Sequence, residues 1–218
     1  MPVGMSQHST SSPSLRSENF ARAFDLGCDA AALTHGHPTG FLTAGVMAAL
    51  VFDLLDGSDL TAAIDRVTPL LTCKERHEET RVALERALSL HASDTAPEAA
   101  IRKLGQGWIA EEALAIGVYC ALKARDFETG VIMAVNHDGD SDSTGLIAGH
   151  LLGAMHGLAA IPARWLEPLE LREVMEDVAD DLATAGDWRL GDWDDPEASA
   201  EEDYYFGRYP GSQGIVRK

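Results

Sequence analysis

Apolar residues recur along most of this chain at spacings of three and four, which is the period of an amphipathic helix. Phe20, Ala23 and Phe24, for example, fall on one face of a helix expected between residues 18 and 33. No segment shows the sustained alternation of apolar and polar residues that a half-buried strand produces. The apolar run Val131–Val135 is ambiguous, because so short a run fits a strand or a buried helix. The spacing therefore predicts a compact all-α domain of roughly eight helices.

The composition changes at both ends of the chain. Residues 1–17 are rich in Ser, Pro and polar residues and predict a flexible N-terminal segment. Residues 18–185 carry the helical pattern, and residues 186–218 predict an irregular acidic C-terminal tail that contains several aromatic residues. Between Glu176 and Asp203 there are twelve acidic residues and one basic residue, so most of the net charge of −18 is concentrated there. Such runs of acids are usually solvated.

Charge and cysteine content exclude several classes of protein. With 17 basic and 35 acidic residues, the chain would repel a nucleic acid, so binding through a basic patch is excluded. Cys28, Cys73 and Cys120 form no CxxC motif and predict no disulfide framework. The segment Phe41–Leu55 is apolar but short and contains Asp53, which favours a buried helix over a membrane span. We expect a cytoplasmic protein with no membrane or nucleic-acid partner.

The segment Asn136–Gly145, with the sequence NHDGDSDSTG, is the strongest candidate for chemistry. Asp138, Asp140 and Asp142 place three carboxylates within a few residues, where each opposes the ionisation of the others. A divalent cation such as Mg²⁺, Mn²⁺ or Ca²⁺ relieves that repulsion and prefers oxygen ligands of this kind. The segment therefore predicts a metal site.

Two alternatives remain for this segment, and one is excluded. An EF-hand counted from Asp138 would need Gly where Ser143 stands and Glu where Gly149 stands, so it is excluded. An exposed polar turn that caps the following helix through Asp142 or Ser143 remains open. The nucleophile loop of haloacid-dehalogenase-type phosphatases, with Asp140 as nucleophile, also remains open, although no alternating β/α pattern follows.

Three further features surround this segment. Glycines recur every four residues on the helix expected next, at Gly145, Gly149, Gly153 and Gly157. Each glycine costs a helix about 1 kcal/mol relative to alanine, so the stripe predicts close packing against another helix. His35 and His37 have a spacing that suits zinc but lack a third ligand, so a polar loop is the alternative. Gly105–Trp108 predicts a flexible turn before a helix.

Together these segments resemble the ADP-ribosylglycohydrolase family, which includes the dinitrogenase-reductase-activating enzymes. Asn136–Gly157 resembles the C-terminal metal motif of that family and the helix behind it. Ala30–Gly40 resembles its Thr-His segment, and Gly105–Cys120 resembles the helix between them. The resemblance implies an all-α fold and a Mg²⁺-dependent (or Mn²⁺-dependent) hydrolase that removes ADP-ribose. The implied partner is an ADP-ribosylated protein or an ADP-ribose-containing small molecule.

The resemblance also implies roles for individual residues, with no catalytic residue identified. The metal ligands it implies are Asp140, Asp142 and Ser143, and the ADP-ribose contacts are His35, Asp138 and Gly139.

The family holds two metal ions, and its other ligands come from an N-terminal Thr-Asp-Asp segment and an earlier acidic residue, for which this sequence shows no match. Met1–Gly4 resembles the end of the family's next segment, so the chain is expected to lack the N-terminal third of the domain. At most one ion is then expected in this chain alone, and hydrolysis is expected if the missing ligands are supplied. The alternative is a catalytically impaired remnant that binds ADP-ribose or a protein partner.

Overall fold

The computed structural model describes residues 13–185 and 196–209, which form helices and no strands. The helices are α1 (Pro13–Ala32), α2 (Pro38–Leu55), α3 (Leu60–Thr72), α4 (Glu78–His91), α5 (Pro97–Leu104), α6 (Ala110–Lys123), α7 (Phe127–Val135), α8 (Ser141–His156), α9 (Ala163–Leu166), α10 (Arg172–Thr184) and α11 (Pro196–Arg208). A short 3-10 helix, Leu158–Ala160, follows α8. The all-α prediction is confirmed, and Val131–Val135 belongs to a helix.

Helices α1–α8 form one compact unit, which ends at Pro162. Helix α6 lies at its centre and packs against α2, α4, α5, α7 and α8. Every residue of α6 from Ala113 to Ala121 is buried, because small and apolar side chains cover all of its faces. Helix α1 packs along α2, and α8 packs against α2, α6 and α7. The segments that precede α6 and α8 meet, and the Asp140 N–H donates to the Gln106 carbonyl there.

Local sequence accounts for where several helices begin and end. The Asp59 carboxylate accepts hydrogen bonds from the backbone N–H groups of Thr61 and Ala62 and caps α3. Asp126 and Thr129 form a reciprocal capping box at the start of α7. Gly57, at φ +84°, takes the left-handed conformation that ends α2.

Helix α2 is, by length and composition, apolar enough to cross a membrane, with a mean hydropathy of 1.6 over 18 residues. Half of that window is buried inside the protein. The helix contacts α1, α3, α6 and α8, as a core helix does. A core helix passes the same test of length and composition, so the finding is weak evidence for a membrane span.

The first helix begins earlier than the sequence predicts. Pro13 opens α1, so residues 13–17, assigned to a flexible segment from their composition, belong to a helix. Arg16 lies in this first part of α1, where its guanidinium pairs with Asp53 and Asp56. A long-range ion pair of this kind leaves no signal in local composition. Residues 1–12 of the predicted segment lie outside the described residues.

The glycine stripe of α8 faces the side chains of α7 rather than a closely approaching backbone. A Cβ on Gly145 would lie 2.5 Å from Val135 Cγ1, whereas one on Gly149 or Gly153 would meet only a single side-chain atom at 4.0 Å. The close approach to α8 comes instead from its neighbours. A Cβ on Gly117 of α6 would lie 2.4 Å from Ile147 Cγ2 and 3.2 Å from the backbone nitrogen of Ala148.

Helices α9–α11 belong to a second unit, which begins at Ala163. Within it, Asp181 is buried and accepts hydrogen bonds from the hydroxyls of Tyr204 (3.0 Å) and Tyr209 (2.8 Å). These bonds raise the pKa of both tyrosines. Arg208 pairs with the same carboxylate at 2.9 Å and with Asp177 at 2.8 Å.

This second unit corrects one prediction from the sequence. Residues 196–208 form a helix, so this part of the acidic tail is not irregular. The two compact units divide after Pro162, and the domain boundary at residue 185 stays a prediction from the sequence. The remaining tail residues, 186–195 and 210–218, lie outside the described part of the chain.

Candidate functional site

A cavity of about 550 Å³ lies where four helices of the first unit begin. Each helix contributes a residue from its first turn to the lining: Thr39 from α2, Glu79 from α4, Glu111 from α6 and Ser143 from α8. The loop before α2, the loop between α5 and α6, and the residue before α8 complete the walls. The cavity is thus built from helix N-termini.

The backbone at these N-termini favours an anion. The first N–H groups of a helix have no partner within the helix, and the helix dipole places partial positive charge beside them. At α2, His37 Nδ1 accepts a hydrogen bond from the Thr39 N–H at 3.3 Å. The N-cap residues of α4, α6 and α8, which are His77, Ile109 and Asp140, make no such side-chain cap. Several convergent N-termini of this kind suit a phosphate group.

Carboxylates line the same cavity. Glu79, Glu111 and Asp140 all reach it, and the Thr39 hydroxyl donates a short hydrogen bond to Glu79. The His37 Nδ1 atom lies 4.0 Å from a Glu79 oxygen. The cavity therefore presents both partial positive charge from the backbone and negative charge from side chains. A ligand that carries a phosphate would meet less repulsion with a cation beside these carboxylates.

The loop between α7 and α8 is held by a buried threonine. The Thr144 hydroxyl donates to the Ala134 carbonyl at 2.7 Å, which ties the start of α8 to the end of α7. His137 Nδ1 accepts the Gly139 N–H at 3.1 Å, so the ring proton is on Nε2, which donates to the Thr144 hydroxyl at 2.9 Å. Asp140 comes directly after this fixed loop.

A second contact fixes Asp140 from the other side. Its N–H donates to the Gln106 carbonyl at 2.7 Å. Gly139 makes this approach possible, because a Cβ there would lie only 1.8 Å from the Gln106 oxygen. Gly107, at φ +82°, packs so closely that a Cβ would lie 2.9 Å from the Thr144 methyl. The loops before α6 and α8 thus meet backbone to backbone.

The side chains of Asp140 and Asp142 are adjacent at the start of α8. A hydrogen bond from the Asp140 carboxyl lowers the pKa of Asp142, and the Ser143 N–H, which donates to Asp142 Oδ1 at 3.0 Å, lowers it further. Two neighbouring carboxylates repel each other, and a cation bound between them would relieve that repulsion.

The structure brings together half of the residues that the sequence singled out. His35, Asp140 and Ser143 line the cavity. The other three are near in sequence but not in its lining: Asp138 and Asp142 are exposed to solvent, and Gly139 faces the Gln106 backbone. Among the described residues, no three His, Cys, Asp or Glu side chains are grouped closely enough to hold a metal ion.

Sequence reasoning missed Glu79 as a site residue. Its helix has the pattern of an ordinary surface helix, and its partner Thr39 lies 40 residues earlier, so no local spacing reveals the pair. The sequence predicts Trp108 only as part of a flexible turn. In the structure it lines the cavity with 67% of its surface exposed, and a large exposed aromatic residue flanked by glycine is the signal that could have assigned it.

Two curated relatives match parts of this chain. An uncharacterized protein of Archaeoglobus fulgidus is 40% identical over 90 residues, which cover 41% of this chain and 29% of that protein. The ADP-ribosyl-[dinitrogen reductase] glycohydrolase of Rhodospirillum rubrum is 43% identical over 63 residues, which cover 28% of this chain and 21% of that enzyme. The matched stretches thus span less than a third of the length of either relative.

A solved structure titled "ADP-ribosylglycohydrolase-related protein complex" aligns with 75% of this chain and 72% of that chain, at 26% sequence identity and a TM-score of 0.35. The family model described as ADP-ribosylglycohydrolase matches residues 1–190, which is most of the chain. The chain therefore belongs to the ADP-ribosylglycohydrolase family.

Proposed function

We propose that this chain supplies the ADP-ribose pocket of an ADP-ribosyl hydrolase, whose substrate is an ADP-ribosylated protein or a related small molecule. The observation that carries the proposal is the convergence of four helix N-termini on one cavity in a member of this family. The pyrophosphate of ADP-ribose is the part of the ligand that such N-termini would bind.

Side chains on the cavity wall suit the rest of the ligand. Trp108 offers an exposed aromatic face on which an adenine ring or a sugar can stack. His35 lines the cavity, and its Nδ1 atom lies 2.8 Å from the Thr34 hydroxyl, which fixes the orientation of the ring. Its other ring nitrogen is then positioned for a hydrogen bond to a ribose hydroxyl or a phosphate.

The donor groups at the start of α8 fit the Mg²⁺ or Mn²⁺ ion that the family implies. Asp140 and Asp142 place two carboxyl groups side by side, with the Ser143 hydroxyl next to them. Mg²⁺ is commonly held by one or two carboxylates and several waters, so these three residues would hold one ion. When bound, that ion would neutralise phosphate charge and polarise a ribose hydroxyl.

The carboxylates of the cavity suit the charge that glycoside cleavage develops. Hydrolysis of the bond at the ribose anomeric carbon passes through an oxocarbenium-like transition state, which carries positive charge on the sugar. Glu79, Glu111 and Asp140 would stabilise that charge electrostatically without moving during the reaction. The backbone N–H groups would hold the pyrophosphate at the same time.

Binding of ADP-ribose without hydrolysis is the second candidate function. The helix N-termini and Trp108 that line the cavity would bind the ligand without a catalytic group, so the same cavity supports this candidate. This candidate corresponds to the catalytically impaired remnant that the sequence left as the alternative, in its ADP-ribose-binding form, and it shares the ligand of the first.

Calorimetric titration with ADP-ribose, with and without Mg²⁺, tests the ligand that both functions share. Release of free ADP-ribose from an ADP-ribosylated protein then separates them. Asp140→Ala should weaken Mg²⁺-supported binding at least about tenfold, as loss of groups around a metal commonly does. Asp65→Ala, which removes an exposed carboxylate on α3, is the matched control and should bind as the wild type does.

Each outcome leads to a different conclusion. Binding with release supports the hydrolase, and binding without release supports the binding module. If ADP-ribose does not bind, or if Asp65→Ala weakens binding as much as Asp140→Ala does, the cavity is not the ADP-ribose site and the proposal is wrong.

A further inference from the structure

Glu112 makes an unusual contact for a residue in the first turn of a helix. Its Oε2 atom accepts hydrogen bonds from the backbone N–H groups of Gln106, at 2.8 Å, and Gly107, at 3.1 Å. A glutamate at this helix position normally reaches back to the N–H of the N-cap residue, which here is Ile109. Glu112 instead binds the backbone two and three residues further back, within the loop between α5 and α6.

The loop is shaped to receive this carboxylate. Gly105 has φ +136°, and a Cβ there would lie 2.2 Å from Glu112 Cδ. Any other residue at position 105 would displace the side chain of Glu112. The two hydrogen bonds and the glycine therefore fix the loop and Glu112 against each other.

The same loop holds Asp140. The Gln106 residue that donates its N–H to Glu112 accepts the Asp140 N–H through its carbonyl, at 2.7 Å. Gly107 is the second residue bound by Glu112, and a Cβ added to it would lie 3.5 Å from Asp140 Cβ. A continuous series of contacts thus runs from the Glu112 carboxylate through one peptide segment to the Asp140 backbone.

We infer that Glu112 is a positioning residue for Asp140, and that it sets the place of this carboxylate in the cavity without contacting the ligand itself. Glu112 does not line the cavity, whereas its neighbour Glu111 does. The consequence for ADP-ribose binding rests on the proposed function, but the positioning of Asp140 does not.

Hydrogen exchange tests the positioning directly. In E112A, the backbone N–H groups of Gln106 and Gly107 lose their acceptor, and the Asp140 N–H loses the fixed carbonyl opposite it. We expect amide exchange at these three residues to become at least about tenfold faster, while exchange in the centre of α6 is unchanged. E112Q keeps an acceptor oxygen at the same reach and should restore most of the protection.

A control variant and a ligand titration separate the positioning of Asp140 from the binding of ADP-ribose. Glu98→Gln, at an exposed first-turn glutamate of α5, should leave the three amides as protected as in the wild type. If the wild type binds ADP-ribose, E112A should weaken that binding about 10- to 100-fold and E112Q should recover most of it.

Unchanged exchange at Asp140 in E112A overturns the inference, whether or not ADP-ribose binds. Equal loss of protection in E112A and E112Q also overturns it. That result would mean that the substitution destabilises the region in general, since the acceptor oxygen that E112Q keeps would then make no difference. If E112A does not fold, E112D, whose carboxylate is one methylene shorter, replaces it with the same three amides as the measurement. Failure of the wild type to bind ADP-ribose refutes the proposed function alone and leaves the exchange result to decide the role of Glu112.

Discussion

Replacement of Gly139 by alanine should separate the two loops that hold Asp140. The added Cβ would lie 1.8 Å from the Gln106 carbonyl oxygen and 2.6 Å from its carbonyl carbon. These are backbone atoms, so no side-chain rotation can relieve the overlap. The loops would have to move apart by about 1 Å or more, which would break the 2.7 Å hydrogen bond from the Asp140 N–H.

The expected cost follows from two contributions. Overpacking a tightly fitted site costs about 1–3 kcal/mol, and loss of one backbone hydrogen bond costs about 0.5–1.5 kcal/mol. Gly139→Ala should therefore lower the free energy of unfolding by about 2–4 kcal/mol. For a chain of this length, that corresponds to a fall in melting temperature of about 5–15 °C.

Urea unfolding followed by circular dichroism measures this change, and Gly149→Ala provides the matched control. A Cβ on Gly149 would meet only Val131 Cγ2 at 4.0 Å, and alanine is favoured over glycine inside a helix by about 1 kcal/mol. The control should therefore gain stability where Gly139→Ala loses it. A Gly139→Ala protein as stable as the wild type would refute the close contact between Gly139 and Gln106, and with it the account of how Asp140 is held.

Three further predictions concern charge and protonation. Asp53→Asn should lower the free energy of unfolding by about 2–4 kcal/mol in urea titrations, because Asp53 is 2% exposed and pairs with Arg16 and Arg66. Asp56, which pairs with Arg16 at the exposed surface, is the control, and Asp56→Asn should cost at most about 1 kcal/mol. If the start of α8 holds Mg²⁺ as we propose, millimolar Mg²⁺ should raise the melting temperature in thermal scans, and Asp140→Ala should abolish the rise. At a Mg²⁺ concentration of a hundred times the dissociation constant, the free energy of unfolding should increase by about 2.7 kcal/mol. Burial raises the pKa of the Cys120 thiol to about 12, so the folded state keeps a proton that the unfolded chain releases at lower pH. Stability should therefore fall as the pH rises above about 9 in urea titrations, and a fall of equal size in Cys120→Ala would contradict this assignment.

Much of the fold could be predicted because its determinants are local. The spacing of apolar residues gives the helices, and Asp59 and Gly57 mark the start of α3 and the end of α2. The start of α1 could not be predicted, since Arg16 is held by Asp53 and Asp56, about 40 residues away. The helix at residues 196–208 was missed for a similar reason, because its Tyr204 and Arg208 side chains are bound to Asp181 on another helix.

The candidate site was predicted only where one segment carries the signal. Asp140 and Ser143 belong to a single motif, and His35 to another, so local sequence singled out these three residues of the cavity wall, and their roles as ligands stay predictions. Glu79 and Glu112 were not identified, because their roles depend on partners that only the fold brings close. The acids at 111 and 112 look equally suited to a helix N-terminus, yet one lines the cavity and the other binds the preceding loop.

The conformation of Asp140 is best explained by the cavity rather than by the helix that it begins. An aspartate at the N-cap usually adopts extended backbone angles and accepts an N–H of its own helix, which contributes about 1 kcal/mol. Asp140 has φ −75° and ψ +79°, makes no side-chain cap, and lines the cavity. The Gln106 carbonyl, which accepts its N–H, and the Thr144 N–H, which donates to its carbonyl, hold its backbone in this place. A residue that gives up a favourable local interaction while its neighbours fix it elsewhere is the pattern expected of a functional carboxylate.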